Sequence, residues 1–87
     1  MNKLVIELTT KYDDGDMKAK VYEERTDNAV IFNYVASKKE WVLGFGKIDN
    51  KKVNKRTNNE LLNKMKEFFD NNKNSIVSKG VIFEGGK

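Results

Sequence analysis

Four β-rich runs follow one another in this chain with only short turn signals between them, and connections that short force neighbouring strands to run antiparallel. The first run, Leu4 to Tyr12, places Leu4, Ile6 and Leu8 on one side. Asp13-Asp14-Gly15-Asp16 is a turn signal, and residues 17–24 then alternate, with Met17, Ala19 and Val21 opposite Lys18, Lys20 and Tyr22. Thr26-Asp27-Asn28 turns again into the strongly apolar run 29–35. Ala36-Ser37-Lys38-Lys39 leads into a fourth run, 40–48, closed by Asp49-Asn50.

A helix follows. Thr57-Asn58-Asn59-Glu60 has the spacing of a capping box, in which the threonine oxygen accepts from the third helical N–H and the glutamate reaches back. Leu61, Leu62, Met65, Phe68 and Phe69 then fall on one stripe at helical period. Asn71-Asn72-Lys73-Asn74 ends it, residues 76–83 read as a last strand, and Gly85-Gly86-Lys87 is expected to fray. The expected fold is therefore α+β: an antiparallel four- to five-stranded meander with one amphipathic helix packed on one face, in the order ββββαβ. At 87 residues this is one domain spanning 1–87, with no linker or internal repeat. A core this small is thin.

The third and fourth runs are apolar on both phases, so one helix cannot cover them. A helix is about 10 Å wide and spans roughly two strands. The expected core face carries Val30, Phe32, Tyr34, Trp41, Leu43 and Phe45, packed on Phe68 and Phe69. That leaves Ala29, Ile31, Val35, Val42 and Ile48 on the back, either curled over by the chain itself or open as an interface. Gly44 and Gly46 mark an alternative: a bulge there would shift the phase after residue 44 and change this assignment.

The chain has neither histidine nor cysteine, which removes the commonest general base, the commonest transition-metal ligand, the thiol nucleophile and any disulfide. None of Ser37, Ser75 and Ser78 sits in a Gly-x-Ser-x-Gly setting, and Gly44-Phe45-Gly46 lacks the rest of a dinucleotide fingerprint. Asp13, Asp14 and Asp16 could offer oxygen ligands to a divalent cation, but Asp and Gly are ordinary turn residues and a solvated hairpin is the simpler reading. Glu23 and Glu24 are strand neighbours on opposite faces and cannot work as a close carboxylate pair. No catalytic residue, metal site or cofactor is expected, and the chain is expected not to be an enzyme.

Charge is more informative in its distribution than in its sum. The formal net charge is +4, and all but Arg25 and Arg56 of the 17 basic residues are lysine. Together with abundant asparagine this composition reflects AT-rich coding as readily as function. Yet residues 47–66 alone hold Lys47, Lys51, Lys52, Lys55, Arg56, Lys64 and Lys66 against Asp49 and Glu60. Local charge creates a directed field. Lys47, Lys51, Lys52, Lys55 and Arg56 are the candidate binding patch, running into the helix start, where free N–H groups and the helix dipole also favour an anion. Lys18, Lys20, Tyr22, Ile31 and Val42 are the candidate interface on the sheet.

Two functions compete. The first is a small stoichiometric protein-binding inhibitor or adaptor, with a host or target protein as partner and a homodimer as a further option. In general character the chain resembles the small, Lys/Asn-rich proteins of phages and mobile elements in AT-rich bacteria, anti-defence inhibitors among them; the likeness assigns no residue a role. The alternative is a single-stranded nucleic-acid binder using the basic patch at the helix N-terminus, with Lys18, Lys20 and Tyr22 on one strand face. There the element order resembles single-strand binders of the positive-cofactor type, and the extra last strand departs from it. The opening residues carry too short an apolar stretch for a signal peptide, and no run reaches the ~18–20 apolar residues of a membrane span. A cytoplasmic location with no membrane partner is the corresponding expectation.

Overall fold

A computed structural model describes residues 2–84. The strands are β1 (Leu4–Lys11), β2 (Met17–Glu23), β3 (Ala29–Val35), β4 (Glu40–Ile48), β5 (Lys51–Val53) and β6 (Val81–Phe83), with helices α1 (Glu60–Asn72) and α2 (Ile76–Lys79) between the last two. They form one six-stranded antiparallel sheet in the order β5-β4-β3-β2-β1-β6. The expected α+β meander is present, with two additions. One is β5, which the Lys-Lys-Val sequence disguises as a charged loop. It is folded onto β4 by Asp49 and Asn50, whose φ angles of 53° and 65° give the tight turn that matches strand twist. The other is α2. The tail expected to fray lies outside the described residues.

Residues 76–83 are not one strand. Ile76 is buried at the start of a single helical turn, and Gly80, at φ 75°, ends it by donating its N–H to the Ile76 carbonyl at 2.8 Å. The Gly80 carbonyl then accepts the Leu8 N–H at 2.7 Å, leaving three residues to pair with β1. The left-handed turn at Gly80 needs no room for a Cβ, and the Ile-Val-Ser-Lys stretch before it is as compatible with one helical turn as with a strand.

The helix start also differs from the capping-box expectation. Asn59, in extended conformation, is the N-cap: its side chain accepts the Leu62 N–H at 3.0 Å. The Thr57 hydroxyl instead accepts the Asn54 N–H at 3.0 Å, closing the turn after β5. Two capping-type residues compete here, and the turn claims the threonine.

The core forms between α1 and one face of the sheet. Leu62, Met65 and Phe69 from α1 bury against Leu4, Ile6, Ala19, Val21, Val30 and Phe32. Each such large side chain stabilises by roughly 1.5–3 kcal/mol. Phe69 stacks on Phe32, with ring centroids 4.0 Å apart and planes 5° from parallel. Trp41 meets Phe69 edge-on at 5.1 Å. Phe68 packs at the margin.

One face assignment is corrected. Ile31 pairs with Phe45 and Phe32 with Leu43, so Gly44 is an extra residue in β4. The bulge turns Phe45 out to the back, where it is 65% exposed, and turns Ile48 into the core, where it is 2% exposed. Glycine is needed beyond it as well: a Cβ on Gly46 would collide with the Ala29 carbonyl oxygen and lie 2.5 Å from Val30 Cγ1.

Candidate docking surface on the open sheet face

Residues directly opposite on paired strands project to the same side, so the register maps the back face row by row. One row runs Phe83, Val5, Tyr22, Ala29, Lys47, Lys52. The next runs Val81, Glu7, Lys20, Ile31, Phe45. A third holds Lys18, Asn33 and Val42. Both described helices bury residues in the core cluster on the opposite side.

The result is an apolar surface studded with lysine. Of six large hydrophobic side chains left exposed among the described residues, Tyr12 follows β1 and Val77 is on α2, while Val42, Phe45, Val81 and Phe83 lie on this face. Lys18, Lys20, Lys47 and Lys52 stand among them, with Glu7 the acid in these rows. The Lys20 ammonium lies 5.1 Å from the Tyr22 ring centroid, within cation–π range. A shallow groove of about 780 Å³ opens between Lys20, Ile31, Phe45, Lys47, Lys52 and Asp27.

All five sheet residues expected at an interface, Lys18, Lys20, Tyr22, Ile31 and Val42, therefore share one surface. The basic patch divides. Lys47 and Lys52 join that surface as direct cross-strand partners. Lys51 sits opposite Ile48, on the other side of the hairpin. Lys55 and Arg56 lie in the turn after β5, beside the rim of β4, where they line a groove of about 540 Å³ with Val42, Leu43, Gly44 and Asn54. The patch does not run straight into α1: Thr57, Asn58 and Asn59 intervene, and the Asn59 side chain already occupies one of the free helical N–H groups. Lys66 Nζ donates to the Lys55 carbonyl at 3.3 Å, tying the turn to α1 instead.

Phe45, Val81 and Phe83 are surface residues that the sequence reading did not single out. Gly44-Phe45-Gly46 carried the signal for the first. Alternation about Ile82 would have shown the other two once the last strand was recognised as short.

Three acidic residues, Asp14, Asp16 and Glu23, serve the fold. Asp14 Oδ1 accepts the Asp16 N–H, and Asp16 Oδ1 accepts the Ala36 N–H, each at 2.9 Å, so two of the three hairpin carboxylates hold backbone groups in place. Glu23 is buried and accepts a hydrogen bond from the Asn28 side-chain amide at 2.9 Å. Among the described residues no cluster of three potential metal ligands forms, and no helix is long and apolar enough to cross a membrane.

No family model matches this chain, and neither the curated proteins nor the solved structures contain one that does.

Proposed function

We propose that this chain is a non-enzymatic binding protein, a stoichiometric inhibitor or adaptor of another protein, and that it docks through the open face of its sheet. The observation that carries this reading is the gathering of Val42, Phe45, Val81 and Phe83 on one side, interleaved with Lys18, Lys20, Lys47 and Lys52. Scattered exposed apolar residues are ordinary, but several sharing one face mark an interaction surface. A complementary partner would present apolar side chains to the Val42–Phe45 and Val81–Phe83 ends of this face and carboxylates to its lysines. The Lys/Asn-rich composition, free of histidine and cysteine, supports placing the chain among small inhibitors of phage or mobile-element type, with a host protein as target.

The Lys20–Tyr22 pair favours a second reading, in which a single nucleic-acid strand lays its phosphates on the lysines and a base on the ring. Phe45 and Phe83 offer further stacking surfaces, but aliphatic Ile31, Val42 and Val81 do not and no arginine stands in these rows, which weighs toward protein. The two are separated by titrating a fluorescent random oligonucleotide over a range of salt while tagged protein is incubated with extract of the native host. The proposal expects no salt-steep oligonucleotide binding and one host protein retained in equimolar amount. It also expects that protein to be lost by the double variant Phe45→Ser/Lys20→Glu. Tight oligonucleotide binding that collapses with salt, with no protein retained, would refute it.

A further inference from the structure

The sheet has a second unfinished feature. β4 is paired with β3 from Glu40 to Lys47, but β5 covers its outer side only at Gly46, Lys47 and Ile48. From Glu40 to Leu43, among the described residues, no hydrogen bond reaches the outer side of β4. A strand edge with free N–H and C=O groups is a template for another strand, and proteins ordinarily cover or blunt it. Here the Gly44 bulge and the Lys55/Arg56 turn blunt only one end of the edge; the chain leaves the sheet at Asn54 and turns back through Thr57, whose N–H donates to the Asn54 carbonyl at 3.0 Å, leaving Glu40–Leu43 without a strand beside them.

We infer that this edge receives an extended, acidic segment of the partner protein, added to the sheet as a seventh strand beside β4. The inference rests on the proposed function and names how part of the partner is held. Three observations converge on it. Glu40–Leu43 offers about 13 Å of edge, four residues at ~3.3 Å each, along which alternate residues turn their N–H and C=O outward while the others bond to β3. On the core side of that edge lies a groove of about 420 Å³ whose apolar wall is Phe32, Trp41, Leu43 and Phe69 and whose polar wall carries Glu67 and Asp70 with Lys66 and Lys73, so it takes apolar rather than acidic side chains of an incoming strand. At the Gly44 end stand Lys55 and Arg56. Lys55 and Arg56 stand at one end of the edge and Lys38 and Lys39 flank Glu40 at the other, so the charge around the edge selects an acidic segment. A second copy of the chain is the poorer occupant, because it also carries net charge +4.

The test uses the full chain and an acetylated peptide of about eight residues, alternating valine and threonine and ending in two glutamates. One twin is N-methylated at alternate residues, which removes backbone donors and leaves the side chains. Another has lysines in place of the glutamates. Trp41, the single tryptophan, sits on this edge and reports binding by its emission, and amide hydrogen exchange maps the contact. The expected result is new protection of the outward-facing amides within Glu40–Leu43, a roughly tenfold or greater loss with the N-methylated twin, and a roughly tenfold loss for Lys55→Glu/Arg56→Glu that the lysine twin recovers. No protection at millimolar peptide, equal binding of the N-methylated twin, or edge protection that grows with protein concentration without peptide would each overturn it. Loss of peptide in Phe45→Ser/Lys20→Glu but not in Lys55→Glu/Arg56→Glu would overturn the edge and leave the open-face proposal standing.

Discussion

Replacing Phe45 and Ile48, one at a time, with alanine reads the β4 bulge directly. The residues are three apart, so in an unbulged strand they would face opposite sides, with Phe45 inside and Ile48 outside. The structure exchanges them: Phe45 is 65% exposed and Ile48 is 2% exposed. Burying a phenylalanine fully is worth up to ~3 kcal/mol, so the third of Phe45 that is covered is worth about 1 kcal/mol or less. Ile48→Ala removes a side chain from a packed core and should cost about 2–5 kcal/mol. A chain of this size has only ~4–13 kcal/mol of folding stability in all, so the second loss is severe and the first is small. Urea unfolding followed by tryptophan emission suits the measurement, because Trp41 packs edge-on against Phe69 and loses that environment on unfolding. Phe45→Ala should leave the midpoint nearly unchanged and Ile48→Ala should lower it sharply. A loss above about 2 kcal/mol for Phe45→Ala with less than about 1 kcal/mol for Ile48→Ala would refute the bulge, and with it the open aromatic face.

Gly46→Ala should destabilise by about 1–3 kcal/mol or prevent folding, since its Cβ has no space against Ala29 and Val30; soluble yield and thermal midpoint measure it. Asn59→Ala should cost about 0.5–2 kcal/mol, more than Thr57→Ala, because the asparagine caps α1 and the threonine serves the exposed turn before it; paired thermal melts decide the order. Asn50→Gly should stabilise by up to about 1 kcal/mol, because the residue holds φ 65° at the second position of the β4–β5 turn; an unchanged or lower melting midpoint would contradict that turn geometry.

Much of the sheet was legible because its signals are local. Alternation in residues 17–24 and the turn residues between runs place β1 to β4 within a residue of their expected limits. What the sequence left open depends on contacts between distant residues. Whether Gly44 or Gly46 shifts the phase of β4 is decided by Ala29, Val30 and Asn33 on the neighbouring strand. Whether Thr57 or Asn59 caps α1 is decided by how the chain leaves β5. The brief turn at Ile76–Lys79 exists because Ile76 fits the core and Gly80 can adopt a left-handed bend, neither of which alternation reports. For the docking surface, Lys18, Lys20 and Tyr22 were readable together because they lie on one strand. Uniting them with Phe45, Lys47 and Lys52 needed the register of three strand pairs.

The central claim is that partners meet the uncovered side of the sheet while the packed core beneath α1 stays enclosed. Methyl-resolved magnetic resonance of the isotope-labelled chain, titrated with its purified protein partner, addresses this within one spectrum. Ile31 and Val42 should shift and broaden to saturation at one equivalent while Ile48 and Ile76, enclosed in the core, keep their positions. Perturbation confined to the core methyls, or none at Ile31 and Val42 once the complex has formed, would contradict it.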